Sequence, residues 1–128
     1  MVREPHDARE ALRVPLGDRA GRLALEQDHD AEIRLLEEPL AAEAYRLTIT
    51  PEGVTIAAAG EAGWRHGLVS LAQWYLQHGE SLPCIELSDA PRFGFRGIFL
   101  DCARHFHSLA TLKRLLKLMS LYKFNRFH

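Results

Sequence analysis

Sulfur is scarce in this chain. Its 128 residues hold two cysteines, Cys84 and Cys102, without the spaced pairs of a disulfide framework. Both fall in expected strands and read as small buried core residues, their pairing left open. No apolar run approaches the length needed to span a bilayer. The start, MVREPHDAREALRV, lacks the continuous apolar core of a secretory signal, which makes the cytoplasm the default location. An excess charge of one sign is missing too. Sixteen Lys and Arg against 17 Asp and Glu leave a net charge of -1, so neither nucleic acid nor an anionic membrane is an expected partner. Internal repeats and low-complexity tracts are absent. So are H-E-x-x-H and any Cys/His ligand spacing, which argues against a metal. What remains is ordinary globular composition, 47% hydrophobic and 26% charged.

The first segment is polar and irregular. Residues 7–13 can make a turn or two of helix with Asp7 as N-cap, ended by Pro15 and Gly17. Residues 1–20 are therefore expected to form an N-terminal arm, mobile or packed as an arm. Short strands are expected at Leu23–Leu25 and Ile33–Leu36, separated by a turn at Asp28-His29-Asp30. Between Glu43 and Thr50, Tyr45, Leu47 and Ile49 alternate with Arg46 and Thr48, the period of a half-buried strand. Pro51-Glu52-Gly53 connects it to Val54–Ala58 as a hairpin. A helix over 61–77 follows, with Trp64, Leu68, Leu71, Ala72 and Tyr75 on one stripe and Gly79 as its stop. Leu82–Leu87 is the next strand, leaving through Ser88-Asp89-Ala90-Pro91. Residues 21–90 thus read as an α+β domain, a small antiparallel or mixed sheet with a helix on one face.

Residues 91–128 change pattern. A strand over 94–101 ends at the charged cluster Asp101, Arg104, His105 and His107. A helix over 109–122 comes next, with Ser108 as N-cap. Leu112, Leu115, Leu116, Met119 and Tyr122 are expected on its buried face. Lys113, Arg114 and Lys117 point outward as a solvated surface. A second strand begins at Phe124. This order is one βαβ unit with parallel strands and a right-handed crossover. In barrels of such units the functional groups lie where strands end, which is where Asp101 and Arg104 fall. A guanidinium fork suits two adjacent sugar hydroxyls as well as a carboxylate. An ion pair with Asp101, three residues away, is the structural alternative, and both hold together if Asp101 orients Arg104. Arg96, near the strand's start, reads as structural, bridging the two domains. Asp89 and Asp101 are expected at opposite ends of one strand, too far apart to form a catalytic carboxylate pair.

D-A-P-R-F, then F-R-G, a hydrophobic triplet, D-x-x-R-H, a helix and K-x-N-x-x-H make a specific set. It comprises Asp89, Pro91, Arg92, Phe93, Arg96, Gly97, Asp101, Arg104, His105, Lys123, Asn125 and His128. The set resembles the opening of the catalytic barrel of glycoside hydrolase family 20, the β-N-acetylhexosaminidases. The preceding seventy or so residues resemble that family's smaller α/β domain more loosely. The resemblance implies a small sheet with a helix on one face, followed by the first β-α-β of a truncated (β/α)8 barrel over residues 91–128. It implies a parent enzyme that removes terminal N-acetylglucosamine or N-acetylgalactosamine from glycans by substrate-assisted catalysis, without a cofactor. Arg104 would hold hydroxyls of the terminal sugar, with Asp101 and His128 in support. The family's catalytic Asp-Glu pair lies downstream of K-x-N-x-x-H, and no Asp-Glu dipeptide occurs in these residues. The expectation is therefore an inert N-terminal piece of the enzyme, with no catalytic residue of its own and unpaired barrel strands open to self-association. A parent of this family is often exported. The alternative is a non-catalytic α+β interaction module related to the accessory domain.

Overall fold

A computed structural model of the chain describes residues 33–79 and 81–128. The expected arm, the short helix over 7–13, the strand at 23–25 and the turn at 28–30 lie outside the described residues. The chain divides into two compact units, one ending at Pro91 and the other running from Arg92 to His128.

Among the described residues of the first unit, four strands form one mixed sheet in the order β1-β3-β2-β4. They are β1 (Ile33–Glu37), β2 (Tyr45–Thr50), β3 (Gly53–Ala58) and β4 (Ile85–Asp89). β2 and β3 are the hairpin read from their alternation, paired Thr50 to Gly53 across the turn. β1 lies parallel to β3, and β4 antiparallel to β2. The registers align Leu35, Ile56 and Leu47 in one row and Ile33, Val54, Ile49 and Ile85 in the next. These rows face helix α1 (Glu61–His78) and make the core with Trp64, Leu68, Leu71 and Ala72. Leu47, Ile56 and Leu71 are completely buried.

Helix α1 comes unusually near the sheet because two small residues, Gly63 and Gly67, sit on its buried face. A methyl group on Gly63 would collide with the Ala44 carbonyl and stand 2.6 Å from Ala58 Cβ. One on Gly67 would collide with the Ile56 side chain. Each glycine costs about 1 kcal/mol of helix propensity relative to alanine, a cost offset by the close packing it permits. The helix ends at Gly79, whose φ of 69° suits a residue without Cβ and whose N–H bonds Tyr75 O at 2.7 Å.

Three expectations for the sheet need correction. β4 begins at Ile85 rather than Leu82 and takes in Ser88 and Asp89, which were expected in the exit turn. Pro83 has no N–H to give a ladder, and the pairing of β4 with β2 stops at Ile85 and Ile49, one residue before β2 ends at Thr50. Cys84, one residue ahead of the strand, is therefore exposed rather than buried. Asp89 ends β4 inside the first unit and does not begin the strand that leads to Asp101.

The second unit is a small β-α-β: β5 (Gly97–Ile98), α2 (Leu109–Leu121) and β6 (Arg126–Phe127). β5 and β6 pair in parallel, as expected. They are far shorter than the anticipated 94–101 and 124–128, because each is laddered to one neighbour only. Ser108 caps α2 by accepting from Thr111 N at 3.2 Å. At the other end Lys123 N bonds Ser120 O and Phe124 N bonds Met119 O. These are the two hydrogen bonds of a Schellman cap, with Lys123 at φ 57° where glycine is usual. Of the five residues expected to be buried on α2, Met119 is. Leu112 and Leu115 are half-buried, whereas Leu116 and Tyr122 are exposed. A two-stranded ribbon is too narrow to cover the stripe.

Candidate functional site

The parallel pairing of β5 and β6 decides where chemistry can gather. It brings the residues that follow both strands, Asp101 onward and His128, to the same end of the pair. Leu100 N donates to His128 O at 2.8 Å, and His128 N to Ile98 O at 3.0 Å, so the pairing continues to this end.

Asp101 organises the loop beyond β5. Its Oδ1 accepts from Ala103 N at 2.9 Å and from Arg104 N at 3.2 Å, closing a turn around the carboxylate. Its Oδ2 meets Arg104 Nε at 3.2 Å. The aspartate thus shapes the backbone and aims the guanidinium together. Nε is the inner nitrogen of the fork. With it engaged, the two Nη groups have no partner among the described residues, and the side chain is 90% exposed. A planar pair of donors aimed at solvent fits two adjacent oxygens. At that exposure the ion pair itself contributes at most about 1 kcal/mol to stability, so its consequence is orientation. Cys102 lies in this turn and is exposed, which corrects its expected burial.

His128 does not join Asp101 and Arg104 through a side-chain bond. Its ring tilts against Phe99, centroids 5.3 Å apart. His105 and His107 meet edge to face at 5.1 Å. Among the described residues no group of three His, Cys, Asp or Glu is placed to hold a metal ion.

Arg96 and Asn125 tie the opposite end of the pair, where the chain enters both strands. Arg96 donates from Nε to Lys123 O at 2.8 Å and from an Nη to Phe93 O at 2.6 Å. Asn125 Oδ1 accepts from Arg96 N, and its Nδ2 donates to Gly94 O. These bonds give Arg96 a structural role inside the second unit. The chain entering β5 is thereby tied to the chain entering β6, which sets the register at the site.

A second polar cluster escaped the sequence reading. The Tyr45 hydroxyl, on a residue 2% exposed, donates to Asp89 Oδ2 at 3.0 Å and stands 2.6 Å from Ser70 Oγ. It joins β2, α1 and the end of β4. The signal was there: a tyrosine on the buried face of a strand needs a partner for its hydroxyl.

Comparison with known proteins agrees with this architecture. Residues 3–90 match the model of glycosyl hydrolase family 20, domain 2, and residues 93–128 match that of the family's catalytic domain. A β-hexosaminidase of Akkermansia muciniphila is 40% identical over 114 residues, covering 84% of this chain and 23% of that protein. One from Vibrio furnissii is 42% identical over 108 residues, covering 80% of this chain and 18% of its own length. Among solved structures, the exo-β-N-acetylglucosaminidase of Vibrio harveyi in complex with N-acetylglucosamine superimposes with a TM-score of 0.75 at 32% identity. That match covers 95% of this chain and 20% of the enzyme. A β-N-acetylhexosaminidase of Bacteroides fragilis gives 0.79 at 28% identity, covering 98% and 26%. The chain thus spans about a quarter or less of these relatives.

Proposed function

The chain belongs to glycosyl hydrolase family 20, and we propose from this that it is the N-terminal part of a retaining exo-β-N-acetylhexosaminidase acting on glycans or chitooligosaccharides. Residues 21–90 serve as the accessory α+β domain, and residues 91–128 begin the catalytic barrel. Arg104 binds hydroxyls of the terminal N-acetylhexosamine, Asp101 orients it, and His128 supports the same rim. The observation that carries this reading is the division of labour on Arg104. Its Nε rests on Asp101 at 3.2 Å, while the outer fork is left to a ligand.

Catalysis in this reading is substrate-assisted: the sugar's own acetamido oxygen attacks the anomeric carbon while an acid protonates the leaving oxygen. That acid and the carboxylate steadying the acetamido group lie in the rest of the parent enzyme. The 128 residues on their own bind at one point and do not turn over. The test has two arms on a chromogenic N-acetylglucosaminide. The parent enzyme should hydrolyse it, and Arg104→Lys there should lower kcat/KM by roughly 2–4 kcal/mol, because lysine cannot fork onto two hydroxyls. The 128-residue chain should show no turnover. Kinetics of Arg104→Lys within threefold of the unmodified parent would remove Arg104 from the site.

A further inference from the structure

The ladder between β5 and β6 runs one rung further back than its backbone reaches. Toward the rim its rungs fall on every second residue. His128 N donates to Ile98 O at 3.0 Å and His128 O accepts from Leu100 N at 2.8 Å, so His128 stands opposite Phe99. Two residues earlier Arg126 stands opposite Gly97 and donates to Arg96 O at 3.1 Å. By this period the next rung, opposite Phe95, belongs to the backbone of Phe124. That N–H is committed elsewhere, to Met119 O at 2.9 Å in the cap of α2. The carboxamide of Asn125 fills the rung instead. Its Nδ2 donates to Gly94 O at 2.8 Å and its Oδ1 accepts from Arg96 N at 3.0 Å. These are the two bonds that a peptide group facing Phe95 would make. Asn and Gln are the side chains that carry a donor and an acceptor on one neutral amide, and the extra methylene of Gln would carry it past these partners.

We propose that Asn125 is a positioning residue for the sugar site: its carboxamide fixes the register of β6 against β5, and so the place of His128 beside the Asp101–Arg104 loop. A slip of one residue moves β6 by about 3.3 Å and turns each of its side chains to the other face. His128 would leave the Phe99 ring, 5.3 Å from its own, and the two halves of the rim would no longer meet one sugar. Arg96 also reaches across, to Lys123 O at 2.8 Å, but from a long stem that can follow a slip. The carboxamide, one methylene from its backbone, cannot. The effect on sugar binding rests on the hydrolase reading; the register does not.

The test has two arms. In the 128-residue chain, cross-strand nuclear Overhauser contacts between Gly97 and Arg126 and between Ile98 and Phe127 report the register. They should be present in the unmodified chain and lost in Asn125→Leu, while the α-carbon shifts of α2 remain helical. Contacts that persist in Asn125→Leu, or that are missing from the unmodified chain, overturn the register lock. In the parent enzyme the variant to measure is Asn125→Asp, which also decides should α2 unfold in Asn125→Leu. Its ionised carboxylate keeps the acceptor, loses the donor and sets an oxygen against Gly94 O. KM on the chromogenic N-acetylglucosaminide should rise roughly tenfold or more at pH 7, whereas loss of folded enzyme alone lowers kcat and leaves KM unchanged. Once protonated, the same carboxyl has one O–H donor and an acceptor, and it restores the rung. KM relative to the unmodified parent at equal pH should return to within about threefold as pH falls toward about 4, where an aspartate titrates. Asn125→Leu should show no such recovery. Unchanged KM in Asn125→Asp while Arg104→Lys is impaired overturns the positioning role and leaves the hydrolase reading standing. Unchanged kinetics in both variants overturns the positioning role together with the site.

Discussion

The two units use similar residues to opposite effect. Among the described residues, a helix lies along a four-stranded sheet in the first and thirteen hydrophobic residues are buried; in the second, Met119 alone is. The exposed large hydrophobics divide the other way. Among the described residues, Leu36, Leu76 and Leu87 belong to the first unit, and ten to the second, among them Phe93, Phe95, Phe99 and Phe106. Fully burying a side chain of this kind contributes about 1.5–3 kcal/mol. The first unit collects that contribution many times over, and the second scarcely at all. Its order rests on polar ties instead: Asp101 on its turn, Arg96 and Asn125 across the ribbon, and the caps of α2. Amphipathic elements make a domain only when something faces the apolar side.

The largest expected effect is in hydrogen exchange on the monomeric chain. Amides of β2, β3 and α1 should exchange slowly, and those of residues 92–128 fast. Uniformly slow exchange would erase the contrast. Next comes Gly63→Ala, which inserts a methyl against a backbone carbonyl and Ala58 Cβ, neither able to yield cheaply. Overpacking outweighs the gain in helix propensity, for a net loss of about 2 kcal/mol in the first unit. Both tryptophans, Trp64 and Trp74, lie in α1, so denaturation followed by their fluorescence reads this unit directly. Tyr45→Phe should cost somewhat less, about 1–2 kcal/mol by the same measurement, because Ser70 and Asp89 lose the hydroxyl between them. The smallest effect has the opposite sign. Lys123→Gly relieves a left-handed residue at the end of α2 and should stabilise the second unit by about 1 kcal/mol. Slower exchange of the Phe124 amide, bonded to Met119 O, would register it; faster exchange would show that the lysine side chain matters more than the strain.

Much of the first unit was legible because local pattern and burial agree there. Tyr45, Leu47 and Ile49 alternate and are all buried. The stripe from Trp64 to Ala72 falls on the face that meets the sheet. The errors came where one local signal depended on a neighbour. Leu82 looked like a strand's beginning until Pro83, which has no N–H for a ladder, is taken into account. Cys84 and Cys102 looked buried because they are small and apolar, although each sits just outside a ladder. At the candidate site the pairing of Asp101 with Arg104 followed from their spacing. The clamp of Arg96 and Asn125 did not, since its members are 29 residues apart.

By itself the sequence determined the elements whose signal is short in range: the hairpin, the two helices with Ser108 and Gly79 at their ends, and the loop in which Asp101 sits three residues before Arg104. Periodicity, capping and turn chemistry act over a few residues, so a few residues suffice to read them. Only the tertiary structure decided that β1 lies beside β3, that Gly63 and Gly67 let α1 approach the sheet, and that Tyr45 reaches Asp89. It also decided which apolar faces are covered. A stripe of leucines on α2 states that burial is favourable, but what lies opposite is set by parts of the chain far away in sequence, and no local rule carries that information.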